Sequence, residues 1–134
     1  MEDYTRSARN ALAAGFDGVE VHAANGCTIA IDWKICTTVS LTSRQCTPRA
    51  ARISDLLQQF LSDSTNDRRD AYGGPVPNRC RLLLEVACAL CAAVGAANVG
   101  VRLGPFNTFN DCTDSDPFSL YRLRLDFFFL VCAF

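Results

Sequence analysis

Three side chains of the sequence could take part in chemistry at the ends of predicted strands: His22, Asn25 and Arg102. An imidazole and a side-chain amide can each donate a hydrogen bond to a ligand oxygen, and a guanidinium can hold an anionic group. A single histidine near a strand end is more often a structural hydrogen-bonding residue, and a single arginine is more often a surface ion-pairing residue. The residue types alone therefore leave both interpretations open.

The elements that must position these side chains alternate between helix and strand. Apolar residues at helical spacing predict a helix over 3–14, and a strand is predicted over 16–21, directly before the polar cluster that holds His22 and Asn25. A longer helix is predicted from Pro77 to the residue before Gly95, followed by a strand over 99–103. This order predicts an α/β fold whose two strands are parallel.

Composition bounds the class of protein. The chain has 134 residues, of which 49% are hydrophobic and 20% are charged, and this is typical of one domain with a buried core. The formal charge of −1 gives no broad positive field, so we expect no nucleic-acid partner and no anionic membrane partner. No apolar run reaches the length of a membrane span, and the acidic start of the sequence favours a cytoplasmic location with reduced thiols.

Three segments together resemble one protein family. They read GFDGVEVHAANG over 15–26, FLSDSTNDRRDAYGG over 60–74 with NRCR over 78–81, and VGVRLGPFN over 99–107. The joint pattern is similar to that of the old yellow enzyme family of FMN-dependent NAD(P)H:flavin oxidoreductases, particularly its 12-oxophytodienoate reductase-like branch. The resemblance implies a (β/α)₈ barrel, of which this chain would hold about two strand-helix units without closing the barrel.

The resemblance also implies roles for the three side chains. His22 and Asn25 match the pair that hydrogen-bonds the carbonyl or phenolate oxygen of a bound ligand, and Arg102 matches a residue beside the pyrimidine ring of FMN. The implied reaction takes hydride from NADPH or NADH through FMN to the C=C bond of a small α,β-unsaturated carbonyl substrate. The expected cofactors are therefore FMN and a nicotinamide, with no metal ion.

The resemblance breaks at Cys27, where the family has a tyrosine that donates a proton to the substrate. Residues 27–54 have no sustained period and are predicted to be a foreign insertion. If Cys27 is encoded TGT, Ser54 TCA and Asp55 GAC, removal of a GT-to-AG intron joins T to AC, which encodes tyrosine in frame. We interpret the block as a translated intron, with a natural loop insertion as the alternative. The aromatic tail over 122–134 also departs from the family and is predicted to be aberrant.

Three further patterns bear on function. Cys88 and Cys91 form a C-x-x-C pair inside the apolar helix, without the further ligands that a zinc site needs. Asp111, Asp114 and Asp116 lack the spacing of a calcium loop and indicate a solvated loop. Two strands alone would leave unpaired edges, which predicts self-association. A truncated or mis-spliced fragment without enzymatic activity is thus the alternative to an oxidoreductase.

Overall fold

The computed structural model describes residues 1–24, 39–40, 55–104, 106, 108 and 112–122. Its elements follow in the order α1 (Glu2–Ala13), β1 (Val19–Ala23), β2 (Val39–Ser40), α2 (Asp55–Leu61), α3 (Val76–Val94) and β3 (Val99–Leu103). A 3₁₀ turn at Ala96–Asn98 joins α3 to β3, and a short helix covers 117–122. Asn25, Cys27, most of the 27–54 block and the tail beyond residue 122 lie outside the described residues.

The strands form one sheet in the order β2-β1-β3. β1 and β3 are parallel, as predicted, and pair over their whole length from Val19↔Val99 to Ala23↔Leu103. β2 pairs with the other edge of β1 in the antiparallel direction, with Val21 opposite Val39. A (β/α)₈ barrel is built from parallel strands, so β1 and β3 form its barrel-like part. The prediction that both edges of this pair are open is therefore wrong for β1, because the 27–54 block supplies β2.

The first strand begins later than the sequence predicts. Gly15 has a φ of +91°, which glycine adopts without strain. A Cβ at Gly18 would lie 2.8 Å from the carbonyl oxygen of Asn98, so the backbone passes close to the start of β3 there. Phe16 is 41% exposed and stands in this turn. Residues 15–18 are consequently a turn, and the strand runs on to Ala23, which places His22 within β1.

The helices α1, α2 and α3 and the short helix over 117–122 share one core with one face of the sheet. The buried side chains of β1 are Val19, Val21 and Ala23, which alternate along the strand as a half-buried strand requires. α3 begins after Pro75, carries proline in its first turn and ends at Gly95, as Pro and Gly signals predict. None of the described helices is long and apolar enough to cross a membrane. The core includes Ala8, Leu57, Leu61, Leu83, Val86, Leu90 and Leu120.

Asn66 organises the loop between α2 and α3. Its side-chain amide donates to the carbonyl oxygens of Phe60 at 2.5 Å and Tyr72 at 2.8 Å, and its Oδ1 accepts from the backbone N–H of Arg68 at 3.1 Å. A Cβ at Gly73 would lie 2.1 Å from the carbonyl oxygen of Arg68, so this close turn accepts only glycine. Arg68 and Asp70 form an ion pair in the same loop.

The Arg68–Asp70 pair makes the stability of this loop depend on pH. The Arg68 hydrogen bond, reinforced by the backbone N–H of Tyr72, holds the pKa of Asp70 below its ordinary value of 3.8. A carboxyl with a lowered pKa stabilises the fold above its unfolded-state pKa, and the contribution is lost as the pH falls through the folded-state pKa. We therefore expect Asp70→Asn to flatten the dependence of urea unfolding midpoints on pH below 3.8.

Candidate functional site

One face of the sheet carries two of the predicted site residues, His22 and Arg102. Because side chains alternate along each strand and the helices cover Val19, Val21 and Ala23, the other face presents Glu20, His22, Gly100 and Arg102. We call these four residues the open face. His22 and Arg102 are direct register partners across the parallel pair. The fold therefore brings together two of the three predicted site residues, which are separated by 80 positions in the sequence.

The two side chains differ in exposure. His22 is half-buried, and its Nδ1 atom is buried, whereas Arg102 is exposed. Within the part of the chain that the structure describes, neither Arg102 nor Glu20 forms an ion pair. Asn25 lies outside the described residues, so its place beside His22 stays a prediction. The open face thus places an imidazole next to an exposed guanidinium.

The carboxyl ends of β1 and β3 are held close together just beyond these side chains. A Cβ at Gly104 would lie 2.5 Å from the carbonyl oxygen of Ala24, which is nearer than real Cβ atoms approach. The buried Tyr121 donates its hydroxyl to the carbonyl oxygen of Gly104 at 2.9 Å. This contact anchors the helix over 117–122 at the end of β3, where catalytic residues of parallel barrels lie.

Adding one methyl group at Gly104 is expected to separate the two strand ends. Gly104→Ala meets backbone that cannot rotate away, and the resulting overpacking costs about 1–3 kcal/mol of unfolding free energy. Gly100→Ala is the matched control, because its Cβ would find its nearest atom at 3.9 Å, an ordinary contact. Denaturant unfolding of both variants checks this difference, and equal stability of the two would contradict the close approach.

A buried ion pair beneath the site was missed by sequence reasoning. Arg79 of α3 pairs with Asp114, and the two side chains are 5% and 4% exposed. Arg79 also donates to the carbonyl oxygen of Leu61 at 3.0 Å and lies 3.9 Å from a carboxylate oxygen of Asp63. The prediction of a solvated loop is therefore wrong for Asp114, because α3 supplies a charged partner that withdraws it from water. Arg79 belongs to the NRCR motif, which was its only signal in the sequence.

Hydrogen bonds extend this ion pair into a link between two loops. Ser115 donates its backbone N–H to Asp63 at 3.1 Å, and the hydroxyl of Ser64 donates to the carbonyl oxygen of Thr113 at 2.8 Å. The backbone N–H of Thr113 donates to the Ser64 hydroxyl at 2.9 Å. Residues 113–115 are thereby attached to the residues that follow α2.

A cleft and an exposed aromatic pair are two further features of the described residues that are not part of the open face. A cleft of about 180 Å³ is lined by Gln59, Phe60, Thr65, Asn66 and Arg68, none of which belongs to the sheet. Phe106 and Phe118, 67% and 74% exposed, meet edge to face at 5.5 Å after β3. Among the described residues, no three His, Cys, Asp or Glu side chains converge in a way that could hold a metal ion.

Comparison with known proteins places this fold in a family. The structure resembles the old yellow enzyme homologue from Zymomonas mobilis, with a TM-score of 0.67 and 36% identity over 90% of this chain and 26% of the other. It also resembles morphinone reductase in complex with tetrahydroNAD, with a TM-score of 0.74 and 34% identity over 98% of this chain and 28% of the other. The expected fold, a partial (β/α)₈ barrel, is thus confirmed.

The sequence gives the same assignment. The profile of the NADH:flavin oxidoreductase / NADH oxidase family matches residues 54–120, which is half of the chain. The chain belongs to this family. It is 45% identical over 120 residues to 12-oxophytodienoate reductase 1 of Oryza sativa subsp. japonica. It is 44% identical over 119 residues to a Leishmania infantum protein named as a probable flavin mononucleotide-dependent alkene reductase.

These matches cover most of this chain but only a small part of each relative. They cover 90% and 89% of this chain but 24% and 25% of the two relatives. The chain therefore spans about a quarter of the length of the curated relatives it matches. The matched part of this chain includes the open face. The family profile begins at residue 54, the last residue of the predicted insertion.

Proposed function

We propose that this chain forms part of the site of an FMN-dependent oxidoreductase that reduces the C=C bond of an α,β-unsaturated carbonyl compound at the expense of NADPH or NADH. The observation that carries the proposal is the register pairing of His22 with Arg102 on the open face. Family membership supports a flavin, and the tetrahydroNAD complex of a related structure supports a nicotinamide donor.

The residues of the open face fit a flavin. Arg102 is exposed and has no ion-pair partner among the described residues, so its charge is available to an anionic ring system. Gly100, two residues earlier on the same face, has no side chain and leaves room beside the guanidinium. FMN bound there would supply hydride to the β-carbon of the substrate. Arg102 would hold the flavin and stabilise negative charge on it.

His22 has a different task on the same face. A hydrogen bond from its imidazole to the carbonyl oxygen of an enone withdraws electron density from the conjugated double bond and favours hydride addition. Its position within β1, rather than on a loop, fixes the direction of that hydrogen bond. Asn25 is proposed as the second donor to the same oxygen. Removal of one such donor typically lowers the rate by about 10²–10³-fold.

FMN titration of the purified chain, followed by flavin fluorescence, tests the proposal. We expect saturable quenching, and a dissociation constant that Arg102→Met raises by about 10–100-fold, because a charged hydrogen bond is lost. Arg9→Met is the matched control, since Arg9 is exposed on α1 and is not part of the open face. Absence of quenching, or equal affinity of the Arg102 and Arg9 variants, would contradict the assignment of Arg102 to the flavin.

A further inference from the structure

Two thiols on α3 lie outside the site described above. Cys88 is exposed, Cys91 is half-buried, and neither is in a disulfide. Both belong to the last two turns of α3, which continues unbroken to Val94. The other described cysteines, Cys80 and Cys112, are buried. Cys88 and Cys91 are therefore the thiols that lie at the surface of the described part of the chain.

Cys88 lies on the side of α3 that faces away from the sheet. Val86 and Leu90, two positions before and after it, are buried in the core that α3 shares with the sheet. Residues two positions apart lie on nearly opposite sides of a helix, because one turn takes 3.6 residues. Helices form the outer ring of a (β/α)₈ barrel. The side of α3 that carries Cys88 therefore stays on the outside when such a barrel is closed.

The spacing of the two thiols decides which bridge they can form. Residues three positions apart on a helix are neighbours, with Cβ atoms about 5–6 Å apart. A disulfide needs a Cβ separation of about 3.5–4.5 Å and has an S–S bond of about 2.05 Å. A metal ion between the sulfur atoms replaces that bond by two bonds, each about 2.3 Å long for zinc and thiolate. The helix therefore favours a bridging metal ion over a disulfide.

The number of ligands selects the ion. Thiolates are soft ligands, which favour Cu(I) and zinc. A structural zinc site takes four protein ligands, whereas no three His, Cys, Asp or Glu side chains of the described residues converge. Glu85, one turn before Cys88, accepts a hydrogen bond from the hydroxyl of Tyr72 at 3.1 Å. Cu(I) forms stable complexes with two thiolates alone, so two ligands suit it better than zinc.

We propose that Cys88 and Cys91 bind one Cu(I) ion through their two sulfur atoms. Each thiol releases its proton to solvent on binding, because the thiolate is the metal ligand. The copper ion keeps its charge, so the step needs no oxidant or reductant. The helices cover the face of the sheet opposite the open face, so this site is separate from the one proposed for the flavin.

Competition for Cu(I) with a coloured chelator, without oxygen and without flavin, tests the proposal. The wild-type chain should remove Cu(I) from the chelator, and this affinity should rise with pH because binding releases protons. Cys88→Ser and Cys91→Ser should each raise the dissociation constant at least about tenfold, since one of two linked ligands is lost. The matched control combines Cys91→Ser with Ala89→Cys. It keeps the number of thiols but places two of them at adjacent positions, which do not face each other, so it should also bind weakly.

The remaining outcomes overturn the proposal. A wild-type chain that leaves Cu(I) on the chelator has no such site. Equal affinity of the wild-type chain and the thiol-matched control means that other cysteines of the chain hold the ion. Circular dichroism of each variant shows that a lost affinity is not a lost fold, and Cys88→Ala replaces Cys88→Ser if serine alters the spectrum. Because flavin is absent, failure of this measurement leaves the proposed function untouched, and failure of the FMN titration leaves the copper site untouched.

Discussion

Replacing Arg79 with methionine is expected to lower the free energy of unfolding by about 3–5 kcal/mol. The substitution keeps much of the side-chain volume but leaves Asp114, whose side chain is 4% exposed, as an unpaired buried carboxylate. It also removes the donor to the carbonyl oxygen of Leu61, and with it the link between α3 and the loops on either side. Urea unfolding followed by circular dichroism measures the loss.

Two further variants show that the loss comes from the buried charge. Arg79→Met combined with Asp114→Asn removes both charges, so the double variant should be more stable than Arg79→Met alone. Arg81→Met, on the exposed side of α3, removes a surface hydrogen bond to the carbonyl oxygen of Ala71 and is expected to cost less than about 1 kcal/mol. A cost below about 1 kcal/mol for Arg79→Met would contradict the account of a buried ion pair.

Deleting residues 27–54 and introducing Asp55→Tyr is expected to produce the largest change in activity. The chain then reads Asn-Gly-Tyr-Leu-Leu after β1, with a tyrosine at the position where the resemblance implies one. A positioned proton donor contributes about 10²–10⁴-fold to a rate. We expect an increase of that order in FMN-dependent reduction of an enone by NADPH, measured as the saturated ketone formed.

The matched control carries the same deletion with Asp55→Phe. The two chains differ by one hydroxyl group, so equal rates would show that the phenol donates no proton. The origin of the block is tested separately in the gene. A Ser54 codon other than TCA, or the absence of a spliced transcript that encodes tyrosine, would contradict the intron interpretation and favour a natural loop insertion.

Local signals predicted much of the fold because each has a local physical cause. Gly95 and Pro77 mark the ends of α3, and the predicted strand over 99–103 matches β3. The start of β1 was predicted wrongly because the backbone at Gly18 passes close to Asn98, which is 80 residues away in sequence. β2 was not predicted because two residues carry no detectable period and form a strand only beside β1.

The contacts of the candidate site were likewise predicted only in part. His22 and Arg102 were recognised from motifs that resemble those of a family, and the pairing of β1 with β3 then places them side by side. The Arg79–Asp114 pair was missed because its partners are 35 positions apart and an ion pair leaves no periodic pattern. Contacts that depend on the meeting of distant segments therefore emerged only from the structure.

We propose above that the open face supports hydride transfer from a nicotinamide through a flavin to an enone. Its most direct test is the flavin absorbance of the protein–FMN complex, recorded without oxygen while NADPH and then an enone are added. We expect the absorbance to fall with NADPH faster than for FMN alone, and to return with the enone but not with the saturated ketone. A bound flavin that NADPH leaves oxidised, or that the enone does not reoxidise, would contradict it.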